Sequence, residues 1–524
     1  MSKYTQKERD GLYELTDAAR AELTGSKYYN ADLAPTSLPQ RNWNTYHISA
    51  LWIGMSVCIP SFTMASGLVG LGLSPWLAVL NVVLGNVIIL IPIQLNSHAG
   101  TKYGIPFPVF ARMTFGSIGA HIPSLSRAIT ACGWNAIQSW IGGSAIIYMI
   151  SAFVPALNRF NPAFNEALFG RMHFVGFFIF LILVCWISAR GANAIRVLEA
   201  FGAPILIILT VGLFVWSVLL ATGHGGSLST VIQAPTDWAV INGNGGFLYI
   251  FLAGLTANIA FWATMALNIP DFSRFAANQK TQFRGQLYGM PLAMAVCAFV
   301  GAFFAQSTKA AALVVDPATG QGVAFFDPTD VLGYMNVPVI TFVVGLGVVI
   351  ATITTNIAAN VVAPANGFSN LWPRKIGYTI GVIIACVIAI AYRPWWIFGG
   401  AGAYIFGWLN VYGGILAPIA AIFIADYYIV KKQKVGIMAL YQGQEGRYWY
   451  RGGWNLRAIA AWVCGWILPT LGGTVLSGNA FFSWIAANGY IIGFIIGFVT
   501  YILFMQGETR SFISSEEEAA ITER

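Results

Sequence analysis

The sequence predicts an all-α integral membrane fold of twelve spanning helices, and three observations carry that expectation. Only 9% of the residues are charged and 57% are hydrophobic, whereas soluble domains carry about 25% charged residues. The apolar residues gather in unbroken blocks of about 20 instead of alternating, which suits helices that cross hydrocarbon and excludes a barrel. Lysine and arginine are also unevenly placed. With the N-terminus inside, inner segments hold 23 of the 28, and the outer loops hold only Arg159, Arg171, Lys309 and Arg393, with Arg127 inside a span. Such a bias sets membrane orientation, and inverting the chain or dropping one span removes it.

The elements follow in order. Residues 1–45 form a polar segment with Lys3, Lys7, Arg9, Arg20, Lys27 and Arg41 and no apolar h-region, so they read as a cytoplasmic tail and not as a signal peptide. Spans are expected at 46–71, 76–98, 122–150, 173–189, 196–221, 245–270, 286–308, 336–363, 375–392, 400–428, 457–476 and 481–505. Residues 46–221 make a first five-helix repeat and 245–428 a second of opposite orientation. A cytoplasmic loop, 429–456, leads to a helix hairpin, 457–505. An even number of spans leaves the charged tail, 506–524, in the cytoplasm. The net charge of +8 is spread over many short loops, which is no nucleic-acid signature. Cys58, Cys132, Cys185, Cys297, Cys386 and Cys464 fall in apolar segments and read as small packing residues, without a disulfide framework or a metal site.

Two spans break the pattern. The first contains Gly54-Met-Ser-Val-Cys-Ile-Pro60 at mid-depth, and the sixth contains Thr256-Ala-Asn258 and then Trp262 to Asp271 with Pro270. Each alone reads equally as an ordinary helix kinked by proline. They stand five spans apart in opposite orientation, which is the trace of inverted repeats that each open with a discontinuous helix.

The third and eighth spans occupy equivalent places in the two repeats and are polar in the middle. Trp134 and Gln138 are four residues apart and share a helix face. An indole stacks on a planar ring while an amide one turn away pairs with its edge; the plainer reading is a glutamine that joins two helices. In the eighth span Thr352, Thr354, Thr355, Asn356 and Asn360 are a heavy polar load for hydrocarbon. The hydroxyls of Thr354 and Thr355 suit a hard cation such as sodium, although any one threonine can satisfy its own helix backbone. Asn360 is placed to read a substrate edge.

Absences narrow the chemistry. The middles of the first, third, sixth and eighth spans hold no Asp, Glu, Lys or His, the residues that mark proton paths and charged substrates. Arg127, Glu199 and Asp271 lie toward span ends and read as interfacial or loop-anchoring charges. No phosphate loop, metal cluster or nucleophile motif is present, so an enzyme is not expected. Gly399-Gly-Ala-Gly402 reads as helix packing.

Several runs closely resemble signatures of the nucleobase:cation symporter-1 family: Tyr103-Gly-Ile-Pro-Phe-Pro-Val-Phe-Ala-Arg112-Met-Thr-Phe-Gly116, Gly133-Trp-Asn-Ala-Ile-Gln-Ser-Trp-Ile-Gly-Gly143, Asn268-Ile-Pro-Asp-Phe-Ser-Arg-Phe275, Thr354-Thr-Asn-Ile-Ala-Ala-Asn-Val-Val-Ala-Pro-Ala-Asn366 and Asp426-Tyr-Tyr-Ile-Val-Lys431. The resemblance covers about residues 35–505 and is closest to the branch with uracil and allantoin permeases and the plant plastid nucleobase transporter. It implies a leucine-transporter-like fold with alternating access. It further implies that Trp134 and Trp262 sandwich the substrate ring while Gln138 and Asn360 bind its edges. Cys58 stands where a hydantoin-transporting member has a substrate-contacting glutamine. By the same resemblance a sodium site would use carbonyls of Gly54, Val57 and Ala351 with the hydroxyls of Thr354 and Thr355; other members use protons.

The resulting expectation is a monomeric importer in the inner or plasma membrane. It carries a neutral nucleobase or related ureide by cation symport, with uracil first, allantoin or hydantoin as the alternative, no cofactor, and sodium or a proton as the coupling ion. A channel or receptor is disfavoured by the paired broken helices and closed aromatic sandwich.

Overall fold

The computed structural model describes residues 6–506 apart from 191, 224–226, 318, 336, 373 and 477, with backbone alone for 6, 7 and 192–205. The charged C-terminal tail and the side chain of Glu199 lie outside the described residues.

Helices stand at all twelve expected positions. Among the described residues seven are long and apolar enough to cross a membrane: Pro75–Tyr103, Glu166–Ser188, Leu206–Gly223, Gln279–Ala310, Pro338–Leu371, Ala403–Val430 and Leu456–Gly473. Two bent pairs raise the number to nine, and Phe247–Phe261 and Tyr378–Ala391 are shorter apolar helices. The third span, His121–Ser151, is long but more polar, with Asn135, Gln138 and Ser139 in its middle. Starts are set by side-chain caps that satisfy free N–H groups: Asn44 accepts from His47, Asn165 from Leu168 and Asn278 from Thr281. The second span ends where Gly104 takes a left-handed conformation at φ 67°.

The first span is two helices, Thr45–Ser56 and Ile59–Gly70, bent by 54°. Between them Cys58 is extended and Pro60 starts the second half, where a missing N–H costs no helix bond. The sixth span is interrupted by one residue: helix Phe247–Phe261 ends at Trp262 and Ala263–Asn268 resumes at once. The eighth widens into a π-helical turn at Ile357–Val361, and the tenth does so at Ala403–Leu409. Such turns re-aim side chains and gather at functional sites. The second span packs on the sixth and seventh, and the third packs on the fourth and eighth.

Three expectations change. The twelfth span is not one helix: Ala480–Ala487 and Gly489–Met505 meet at 81°. At the corner, Asn488 gives its amide to the Trp484 carbonyl and accepts from the Thr256 hydroxyl, which anchors the bend on the sixth span. The N-terminal tail is a folded piece. A hairpin, Gln6–Arg9 paired with Leu12–Leu15, and the helix Asp17–Leu23 bury Leu15 and Leu23. Buried Arg41 ties the segment to the second span by donating to the Tyr13, Thr36 and Thr101 carbonyls. Third, Arg127, read as an interfacial or loop-anchoring charge, is buried within the protein.

Candidate functional site

The two indoles expected to flank a ring are buried in one cluster with Cys58, Phe261, Tyr404, Trp408 and Tyr412. They do not pack on each other. Phe261 lies edge-on to both, with ring centroids 5.2 Å from Trp134 and 5.0 Å from Trp262. Each indole N–H already has a protein acceptor. Trp134 donates to the Tyr412 hydroxyl at 3.3 Å, and that hydroxyl donates to the Ala260 carbonyl at 2.8 Å. Trp262 donates to Asn86 Oδ1 at 2.8 Å. Neither indole N–H is therefore left for another acceptor.

Gln138 is 2% exposed and its Oε1 has no protein partner. Its amide group is within reach of the Cys58 thiol, which also lies 3.3 Å from the Ser61 hydroxyl. Unpartnered buried acceptors cost about 1–3 kcal/mol. Asn360, on the π-helical turn, donates to Asn356 at 3.2 Å, and Asn356 donates to Asn135 at 2.7 Å. This chain joins the eighth span to the third beside Gln138. Arg127 donates to the Ala359 carbonyl at 2.9 Å and so anchors the same turn. Asp271 accepts from the Phe107 amide at 2.8 Å, which fits the loop-anchoring expectation.

The residues named for a cation come together at the break of the first span. The Thr355 hydroxyl donates to the Gly54 carbonyl at 3.1 Å, and Val57 and Ala351 share one apolar cluster. The Thr354 hydroxyl turns back on its own helix, donating to Ala351 at 2.7 Å. A hydroxyl that donates to a carbonyl still has lone pairs for a cation, so both oxygens remain usable. A separate small pocket, lined by Arg159, Phe169 and Thr341 among others, shares no residue with this constellation.

Sequence reasoning omitted Asn86, Phe261 and Tyr412. The signal for Asn86 is three asparagines, 81, 86 and 96, inside a largely apolar second span. Nothing marks Tyr412 among its aromatic neighbours.

A family model described as permease for cytosine/purines, uracil, thiamine and allantoin matches residues 35–497. The chain is 38% identical over 501 residues to a purine-uracil permease of Arabidopsis thaliana, covering 93% of this chain and 79% of that protein. It is 32% identical to an allantoin permease of Bacillus subtilis, covering 93% and 95%. Its backbone superposes with TM-score 0.73, at 21% identity and covering 94% of this chain and 99% of the other, on Mhp1, a nucleobase–cation symporter solved closed with bromovinylhydantoin bound. The chain is thus a multi-pass membrane transporter and not an enzyme, and it belongs to the nucleobase:cation symporter-1 family of cytosine/purine, uracil, thiamine and allantoin permeases.

Proposed function

We propose that this protein imports a neutral, planar, hydrogen-bonding ring by cation symport, with uracil the first substrate and allantoin the second. The observation that carries this reading is the buried, unpartnered Gln138 Oε1, one turn from Trp134 on the same helix and with its amide group within reach of Cys58. Such a site offers ring faces for stacking and an acceptor for a ring N–H, and no charge for an ionic substrate. Relatives named for purine-uracil and allantoin transport support the same class. Trp134 and Trp262 would flank the ring, with Gln138, Asn360 and Cys58 at its edges. Sodium is favoured over a proton, since Thr355 and Gly54 already converge where a cation would sit. The working unit is a monomer of two five-helix repeats, 46–221 and 245–428, in the inner or plasma membrane with both ends cytoplasmic.

The test is competition of uracil, cytosine, adenine, allantoin, hydantoin and thiamine against labelled uracil in proteoliposomes, with counterflow exchange. One ring dominating, with exchange of labelled for unlabelled substrate, supports the reading. Failure of every ring to compete, or flux without counterflow, overturns it.

A further inference from the structure

The sixth span loses its own helical continuity at Trp262, and the second span supplies hydrogen bonds on both sides of that interruption. Before it, the Asn258 amide donates to Asn81 Oδ1 at 2.9 Å, while Asn81 donates to the Phe251 carbonyl at 2.7 Å. At it, the Trp262 indole donates to Asn86 Oδ1 at 2.8 Å. After it, Asn96 donates to the Ala266 carbonyl at 2.7 Å. The three asparagines are buried. The two spans can approach this closely because residue 85 is glycine: a Cβ there would stand 2.5 Å from the Asn258 Cβ.

Asn86 differs from its two neighbours in what it holds. Asn81 and Asn96 hold backbone or an amide, whereas Asn86 holds the side chain that forms one wall of the proposed site. Its own amide donates to the Val82 carbonyl at 2.7 Å, one turn back, which fixes the group so that Oδ1 faces the indole. Trp262 is buried, and its ring neighbours Trp52, at 5.1 Å, and Phe261, at 5.0 Å, both lie edge-on to it. Edge contacts allow a ring to tilt, whereas a single N–H donor directed at a fixed acceptor sets the plane. We infer that Asn86 is a positioning residue that sets the plane of Trp262 and through it the affinity for the stacked ring. This rests on the reading that Trp262 flanks the substrate.

The experiment is transport kinetics in proteoliposomes with the ring that the competition panel selects, for Asn86→Leu, Asn86→Asp, Trp262→Phe and the double variant Asn86→Leu/Trp262→Phe. Leucine removes the acceptor at similar volume, so KM should rise about 5- to 150-fold with Vmax changed far less. Aspartate keeps an acceptor oxygen in either protonation state and should return KM toward the wild-type value. Phenylalanine at 262 has no N–H to place, so adding Asn86→Leu should not raise KM further. An unchanged KM in Asn86→Leu overturns the inference. So does an equal KM in the Leu and Asp variants, or multiplication of the two effects in the double variant. Should Trp262→Phe be inactive, the Leu-against-Asp comparison decides alone. Near-normal transport by Trp262→Ala would instead bring down the site itself, a different outcome from a silent Asn86.

Discussion

The first and sixth spans are both interrupted at mid-depth, yet they are interrupted in different ways. In the first, two residues leave the helix, the halves bend by 54°, and the residues around the break are small: Gly54, Ser56, Val57 and Cys58. What the break exposes is backbone, and the Gly54 and Ser56 carbonyls are met by Thr355 and Cys297. In the sixth, one residue departs from the helix, and that residue is a tryptophan. What this break presents is a side chain. Matched positions in a repeated architecture thus serve different chemistry: carbonyl oxygens suit a cation, and an indole face suits a ring. Each break can be attacked separately.

The largest effect is expected at the sixth. Trp262→Ala, and equally Trp134→Ala on the facing wall, should abolish uptake while the protein still inserts and folds. Each loses a whole stacking surface and, with it, control of ring orientation; aromatic pairs alone add about 0.5–1.5 kcal/mol beyond area burial. Uptake with labelled substrate alongside size-exclusion profiles in detergent checks this. Near-normal affinity in either variant would reduce that tryptophan to packing.

Gln138→Leu should act next, weakening binding about 5- to 150-fold, since it withdraws an acceptor worth about 1–3 kcal/mol. Asn360→Ala should shift the competition profile in addition, because Asn360 belongs to the Asn356–Asn135 chain and is assigned a different ring edge in the proposed site. An identical ranking of competitors in both variants would break the assignment of edges.

How much of this was legible in the sequence follows from what each feature depends on. The spans were legible because burial in lipid forces a long apolar run. The two breaks were legible because Pro60, Asn258 and Pro270 are out of place in such runs. Trp134 and Gln138 were legible because four-residue spacing fixes a shared face. The partners of the indoles were not. That Trp262 meets Asn86 and Trp134 meets Tyr412 depends on how helices distant in sequence are juxtaposed, and no periodicity records that. The 81° corner at Asn488 was hidden for a similar reason: an apolar run reads as one helix until a remote hydroxyl, here Thr256, is seen to hold an asparagine out of line. The burial of Arg127 has no sequence signature, because its partner is a backbone carbonyl.

The first break is tested by Thr355→Ala, with an effect smaller than loss of either indole. If sodium binds there, it raises substrate affinity by the factor by which substrate raises sodium affinity. The variant should therefore lower apparent sodium affinity and, at fixed sodium, substrate affinity. Binding measured by tryptophan quenching, with sodium replaced by choline at constant pH and ionic strength, reads this directly. Equal substrate affinity in the two buffers, with uptake abolished by a protonophore, would assign the coupling to protons and leave the first break as structure alone.

The smallest effect is expected where the far half of the first span meets the loop between the seventh and eighth. The Ser66 hydroxyl donates to the Phe326 carbonyl at 2.7 Å, and the Phe326 ring touches Tyr404, which lies edge-on to Trp134. The next residue, Asp327, caps the short helix Pro328–Tyr334 by accepting from the Thr329 amide. Burial, reinforced by the nearby Asp330 charge, pushes the Asp327 carboxyl up to about 7. Asp330 keeps an exposed flank, accepts from the Tyr148 hydroxyl at 3.2 Å and has Arg159 near it. A carboxyl raised in the folded state binds more protons there than when unfolded, so its contribution is complete below the ordinary carboxylate range, about 4, and is lost as pH rises through 7. The thermal midpoint in detergent should therefore decline between pH 5 and pH 8, and Asp327→Asn, which cannot ionise, should decline less. A wild-type midpoint that rises over this interval, or an Asp327→Asn slope equal to it, would mean that the loop does not sense the charge and that the first span is held from this side by Ser66 alone.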